Sequence, residues 1–224
     1  MGAPRLPASP GAPPPPRLPV HTLKRSGPDR RPRRTIAPMA TFLILHGFQN
    51  HRPPGHWHHW LAGRLAERGH EVRYPQLPEP DAPVLEDWTA ALRAHLHRPA
   101  EGEFVVVAHS LSVLLWLRAA SPDVDRVLLV APPSPAVTAS IPEIAAFAEG
   151  LDLASVRLEA PARLVYAAGD PYCPEGADVP YGIPLGLDMD VIPDGEHLTP
   201  DSGYGEWPSV LQWCEAPETR LGPR

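Results

Sequence analysis

The sequence predicts an α/β protein: a six-stranded, mostly parallel, doubly wound sheet with helices on both faces and no large lid. Three observations carry this expectation. From Met39 onward, short apolar runs alternate with longer stretches of helical periodicity. The runs are rich in Val, Leu and Ile, as strands buried on both faces are. Turn-forming residues follow the runs, and several of those turns hold Ser, Asp or His.

The apolar runs are Thr41–Leu45, Glu71–Tyr74, Phe104–Ala108, Arg126–Ala131, Arg163–Ala168 and Leu187–Ile192. Between them, Trp57, Trp60, Leu61 and Leu65 mark one helix face, Leu85, Trp88, Leu92 and Leu96 a second, and Leu111, Leu114, Leu115 and Arg118 a third. Strand, helix, strand repeated in this way gives parallel strands joined by right-handed crossovers. The stretch between the fourth and fifth runs must supply a helix of its own, which leaves no length for a large lid and predicts a shallow, open pocket. Trp57, Trp60 and Trp116 are candidates to line it, although aromatic residues at helical spacing more often face a core.

Composition divides the chain at Met39. Of the 33 prolines, eleven lie before it, together with eight of the 20 Lys and Arg side chains and one of the 26 acids. Residues 1–38 therefore read as a disordered, disposable extension or the product of an upstream start assignment. The remainder holds twelve bases and 25 acids, a formal charge of −13 that argues against nucleic acid as a partner of the folded domain. RNA or an anionic membrane could touch only the basic arm. No apolar stretch reaches the length of a membrane span, and prolines interrupt any secretory signal. Two cysteines, Cys173 and Cys214, supply neither a disulfide framework nor a zinc spacing, so the cytoplasm is the expected compartment. The folded domain is expected over residues 39–216, with 217–224 a disordered tail.

Doubly wound sheets bind their ligands beyond the carboxyl ends of the strands. The residues found there are His46-Gly47-Phe48 after the first run, His109-Ser110-Leu111 after the third, Gly169-Asp170-Pro171 after the fifth and Asp194-Gly195-Glu196-His197 after the sixth. A buried strand running directly into Ser110, with a helix starting at once, is the context of a nucleophile elbow. Ala108 and Ser112 stand where the usual pattern has glycines, and both are small. A serine hydroxyl needs a base to become nucleophilic, and His197 follows the last strand in a glycine-containing loop. Asp170 is the best-placed carboxylate to orient that base; Asp188, Asp190 and Asp194 are alternatives. The backbone N–H groups of Phe48 and Leu111 are the expected oxyanion donors. The bland readings are a helix-capping serine, a turn aspartate before proline and a turn glycine at 47; the convergence of four loops weighs against them. His56, His58 and His59 sit near one another on one helix but lack a companion ligand motif, so no metal and no cofactor is expected.

These residues resemble the small hydrolases named for retinoblastoma-binding protein nine. The resemblance lies in Leu45-His46-Gly47-Phe48, Trp57 through Leu61, Val107-Ala-His-Ser110-Leu, Gly169-Asp170-Pro171-Tyr172, Gly195-Glu-His197-Leu and Asp201-Ser-Gly-Tyr-Gly-Glu-Trp207-Pro208, spanning about residues 39–215. It implies an α/β-hydrolase fold, a serine nucleophile and Ser110, Asp170 and His197 in matching positions, with esters and small amino-acid derivatives as the family's substrates; the expected enzyme is a serine hydrolase acting on small esters, thioesters or amides. Ser112 departs from the family's second glycine. The competing reading is a catalytically weak protein-interaction module on the same fold, with an unknown protein partner.

Overall fold

The computed structural model describes residues 39–119, 121 and 123–224, together with Gly2. The extension expected at residues 1–38 thus lies, Gly2 apart, outside the described residues. Six strands form one sheet: β1 (Thr41–Leu45), β2 (Glu71–Arg73), β3 (Phe104–His109), β4 (Arg126–Val130), β5 (Ala162–Ala167) and β6 (Asp188–Ile192). Their order is β2-β1-β3-β4-β5-β6, and every neighbouring pair is parallel. The helices are α1 (Trp57–Glu67), α2 (Leu85–His95), α3 (Leu111–Ala119), α4 (Pro135–Ser140), the short α5 (Ile183–Leu185) and α6 (Pro208–Glu215).

The pleat divides the strand side chains between two cores. Leu43 and Leu45 of β1, Phe104, Val106 and Ala108 of β3, Leu129 of β4 and Leu164 of β5 face one side with Trp88 and Leu92 of α2 and the apolar residues of α3. Phe42, Ile44, Val105, Val107, Leu128, Val130 and Val165 face the other, with Trp57, Leu61 and Leu65 of α1 and Val210, Leu211 and Trp213 of α6. Helix α1 buries residues four apart, a single stripe, whereas α3 is buried at every position from Leu111 to Leu117. Strands β1, β3 and β4 are buried throughout; β2 and β6 are the edges and alternate or open to solvent. Between β4 and β5 lie only α4 and a 3-10 turn at Ala145–Phe147, consistent with the expected lack of a large lid. Among the described residues no helix is long and apolar enough to cross a membrane.

The strand order reverses between β1 and β3, the position where such sheets open a crevice at their carboxyl edge. Trp57 and Trp116 are core residues, and Trp60 borders a groove beside α1, so none of the three tryptophans considered as pocket lining reaches the crevice.

Residues 217–224 are not the disordered tail that the sequence suggests. Leu221 is buried and its N–H donates to Asp190 Oδ2 (3.0 Å). The Gly222 carbonyl accepts from Trp207 Nε1–H (2.7 Å) and from Ser209 Oγ–H (2.9 Å). Arg220 pairs with Asp188 across 2.6 Å. This segment has no periodicity to read, because backbone groups satisfying buried donors and acceptors hold it, not an apolar stripe. Ending the chain at Ala216 strips Leu221 from the core and leaves the Trp207 N–H without its acceptor, so urea unfolding should show a loss of about 3 kcal/mol or more. An unchanged midpoint would show that the segment contributes nothing to stability.

Candidate active site

The crevice is built from four strand ends. Leu45 of β1 is in register with Ala108 of β3, so Gly47 and Ser110 emerge side by side. A Cβ on Gly47 would lie 2.6 Å from Ser110 Cβ and 3.0 Å from Ser110 Oγ, so only glycine fits against that serine. Ser110 itself has φ +57°, the left-handed region that a non-glycine residue adopts only under constraint from its surroundings. The constraint is visible: Ser110 N–H donates to the Val130 carbonyl at the end of β4 (2.9 Å), and its carbonyl accepts from Val113 N–H (2.9 Å) in the first turn of α3. Ser110 is therefore no mere helix cap.

Ser112, the departure from the glycine pattern, is fully buried. Its hydroxyl lies 3.0 Å from the Leu45 carbonyl and 2.9 Å from the His109 carbonyl, and accepts the His109 N–H at 3.1 Å. The hydroxyl ties the ends of β1 and β3 together across the turn, a bond that glycine could not make.

His197 and Asp170 complete a row of hydrogen bonds. Asp170, buried after β5, accepts the His197 Nδ1–H at Oδ2 (2.8 Å) and the Tyr172 N–H at Oδ1 (2.9 Å). A carboxylate only accepts, so the imidazole proton sits on Nδ1 and Nε2 is free to accept from Ser110 Oγ–H at 2.8 Å. The Tyr172 ring covers the imidazole at 4.5 Å between centroids. The other carboxylates considered lie elsewhere: Asp188 and Asp190 pair with Arg163 and Arg220 on β6, and Asp194 faces solvent. The His197 loop is strained, with Asp194 (φ +51°), Glu196 (φ +46°) and Leu198 (φ +52°) all in the left-handed region. At about 1–2 kcal/mol each, such residues persist only where neighbours hold them.

Phe48 and Leu111 both border the crevice beside Ser110. Leu111 opens α3, so its N–H has no intrahelical acceptor. His46, fully buried, places its Nδ1–H on the Gly47 carbonyl (2.9 Å) while its Nε2 accepts Leu77 N–H (2.9 Å). Fixing that carbonyl fixes the Phe48 N–H, which belongs to the same planar peptide and points the opposite way. The crevice widens on either side of Ser110. One cavity, of about 450 Å³, meets Pro133, Ile141, Ile144 and Tyr172. The other, of about 410 Å³, meets Asn50, His51, His56 and His109.

A serine hydrolase family profile matches residues 42–215. A putative hydrolase, YdeN of Bacillus subtilis (strain 168), is 36% identical over 75 residues, which cover 34% of this chain and 38% of that relative. The aligned segment thus spans well under half of that relative's length. The crystal structure of the B. subtilis ydeN gene product superposes with a TM-score of 0.64 at 23% identity, over 79% of this chain and 96% of that one. A putative YdeN-like hydrolase from Pectobacterium atrosepticum SCRI1043 gives a TM-score of 0.65 at 16% identity, over 78% and 88% of the two chains. Likeness at these identities establishes the α/β-hydrolase fold.

Behind the crevice, His56, His58 and His109 bring ring nitrogens within 4.8 Å of one another. His109, on β3, joins the group, whereas His59 is exposed and stands apart. Both ring nitrogens of His58, Nε2 of His56 and Nδ1 of His109 are buried without a hydrogen-bond partner among the described residues. His56 Nδ1 accepts the His58 N–H that caps α1 (3.2 Å), so its neutral ring carries the proton on Nε2 and offers no lone pair there. Burial makes the cluster a set of neutral imidazoles. Desolvation lowers His46 and His56 to about 4 and holds His58 and His109 well below the usual histidine range. These rings bind protons in the unfolded chain near pH 6.5 but not in the folded one, so stability is full above that value and falls as pH drops toward 4. Urea midpoints measured between pH 7 and 5 should decline accordingly. His58→Phe should make that slope shallower by up to about 1.4 kcal/mol per pH unit. An unchanged slope would mean that His58 titrates normally.

Proposed function

The chain belongs to the serine hydrolase family, and we propose that it cleaves small esters, thioesters or amides through an acyl-enzyme intermediate on Ser110. The observation that carries this reading is the unbroken row from Asp170 through His197 to Ser110, two hydrogen bonds of 2.8 Å ending on a serine held at positive φ. On this reading Ser110 Oγ attacks the substrate carbonyl carbon while its proton passes to His197 Nε2. The Phe48 and Leu111 N–H groups receive the charge that develops on the carbonyl oxygen. Collapse of that intermediate breaks the bond to the alcohol, thiol or amine, which leaves with the proton from His197. Water, deprotonated by the same histidine, then releases the acid. Asp170 holds the imidazole in the required tautomer and offsets its positive charge throughout.

The resemblance to the small hydrolases named for retinoblastoma-binding protein nine rests on the same loops and supports the same chemistry. The crevice adds a constraint on substrate. Among the described residues, those lining it include the carboxylates of Glu196 and Asp201 and no Lys or Arg, which favours an uncharged or cationic substrate over one carrying a free carboxylate.

Ser110→Ala is expected to abolish hydrolysis of p-nitrophenyl acetate in a folded protein, and a fluorophosphonate probe should label the Ser110 peptide of the unaltered chain. Full turnover in the folded variant would remove Ser110 from the mechanism. Asp170→Asn preserves shape and removes charge, so kcat should fall by roughly 10⁴-fold near neutral pH, as the same change does in other triads. Asp194→Asn should leave kcat nearly unchanged; the reverse ranking would transfer the orienting role to Asp194.

A further inference from the structure

Resting on the Ser110–His197–Asp170 reading, we propose that Trp57 and His109 are positioning residues that hold the general base. Two consecutive carbonyls of the His197 loop are gripped by side chains from outside it. His109 Nε2–H donates to the His197 carbonyl (3.1 Å), and Trp57 Nε1–H donates to the Leu198 carbonyl (2.9 Å). Asp194, Glu196 and Leu198 all stand at positive φ, so the loop has a conformation it would not keep unaided. Inside the loop the Leu198 N–H reaches only back to Gly195, a local turn that cannot set the distance to Ser110.

The two donors come from parts of the fold that the loop does not touch in sequence. Trp57 is the first residue of α1 and is fully buried, its indole edge-on to Trp207 (5.4 Å, 87°) and to His109 (5.6 Å, 78°). His109 is the last residue of β3, so the chain that carries Ser110 also carries the donor that fixes the base. Its tautomer is set: burial keeps the ring neutral, and with Nε2–H given to His197 the remaining Nδ1 is buried without a hydrogen-bond partner among the described residues. Neither Trp57 nor His109 exchanges a proton with substrate. Their effect is on where His197 Nε2 stands relative to Ser110 Oγ.

Trp57→Phe and His109→Leu each remove one donor and keep an apolar filling; His109→Gln restores an N–H at nearly the position of Nε2. Active sites are counted by fluorophosphonate titration, so that kcat refers to folded, labelled enzyme. Each loss variant should lower kcat for p-nitrophenyl acetate by roughly tenfold or more, with KM within about twofold, as expected when a catalytic group is displaced by a fraction of an ångström. His109→Gln should recover most of it. A purely structural role would lower the melting temperature and leave kcat per labelled site intact, and that result overturns the proposal. So does a folded His109→Gln whose kcat per labelled site falls roughly tenfold or more below that of the unaltered chain, a result that decides the matter even should both loss variants fail to fold. Failure of the underlying reading looks different: Ser110→Ala would retain turnover, or the probe would label another residue.

Discussion

Everything at the crevice depends on how closely β1 and β3 end. The parallel register that pairs Leu45 with Ala108 brings the chain after β1 against the turn that carries Ser110, with no room for a side chain at position 47. That contact determines three things at once. It demands glycine after His46, it forces Ser110 into the left-handed region so that β3 can turn into α3, and it brings the Gly47–Phe48 peptide next to the serine hydroxyl. Small residues at 108 and 112 are the corollary, since the doubled-back chain leaves them no volume. The hydroxyl of Ser112 takes advantage of the crowding by bonding carbonyls on both strands.

The fold was legible because its signal is local and repeated. The six apolar runs coincide with the six strands to within one or two residues at each end, and buried parallel strands advertise themselves as continuous Val, Leu and Ile. The placing of Ser110, Asp170 and His197 was legible for a related reason: Ser110 follows β3 at once and the other two sit in the short loops after β5 and β6, so chain order carries all three to the carboxyl edge, where they meet. The roles of Trp57 and His109 were not legible. A tryptophan at helical spacing reads as core, which Trp57 is, and nothing in the sequence tells that its N–H meets a carbonyl 141 positions away. His109 likewise reads as a turn residue beside the nucleophile. The docking of residues 217–224 was hidden for the opposite reason: its bonds run through backbone groups, whose partners no side-chain pattern encodes.

Strain and support are distributed in a consistent way. Ser110 and the His197 loop hold the unfavourable backbone angles, while the groups that maintain them belong to the rigid layers: the Val130 carbonyl of β4, the indole of Trp57 on α1, the imidazole of His109 on β3. The support extends outward, since Trp207 packs on Trp57 and is itself tied to Gly222. The segment that contains Gly222 is in this way three contacts from the His197 loop, through Trp207 and Trp57 to the Leu198 carbonyl. Such layering agrees with the requirement that strained residues be over-determined by what surrounds them.

Histidine shows how environment, not residue type, assigns function here. Six imidazoles lie in or behind the crevice: His46, His51, His56, His58, His109 and His197. Four of them are buried without a carboxylate partner among the described residues, and burial keeps them neutral. His46 orients the Gly47 peptide and His56 caps α1, while His109 reaches the His197 carbonyl. A proton arriving on any of these would have no countercharge. His51, at the exposed rim, meets the Asp81 carboxylate through Nε2 (3.1 Å), whereas His197 has a carboxylate against Nδ1 and a serine hydroxyl against Nε2, with one edge open to the crevice. Among the described residues, His197 is thus the imidazole beside Ser110 that has a carboxylate at its other nitrogen, the arrangement on which the proposed mechanism rests.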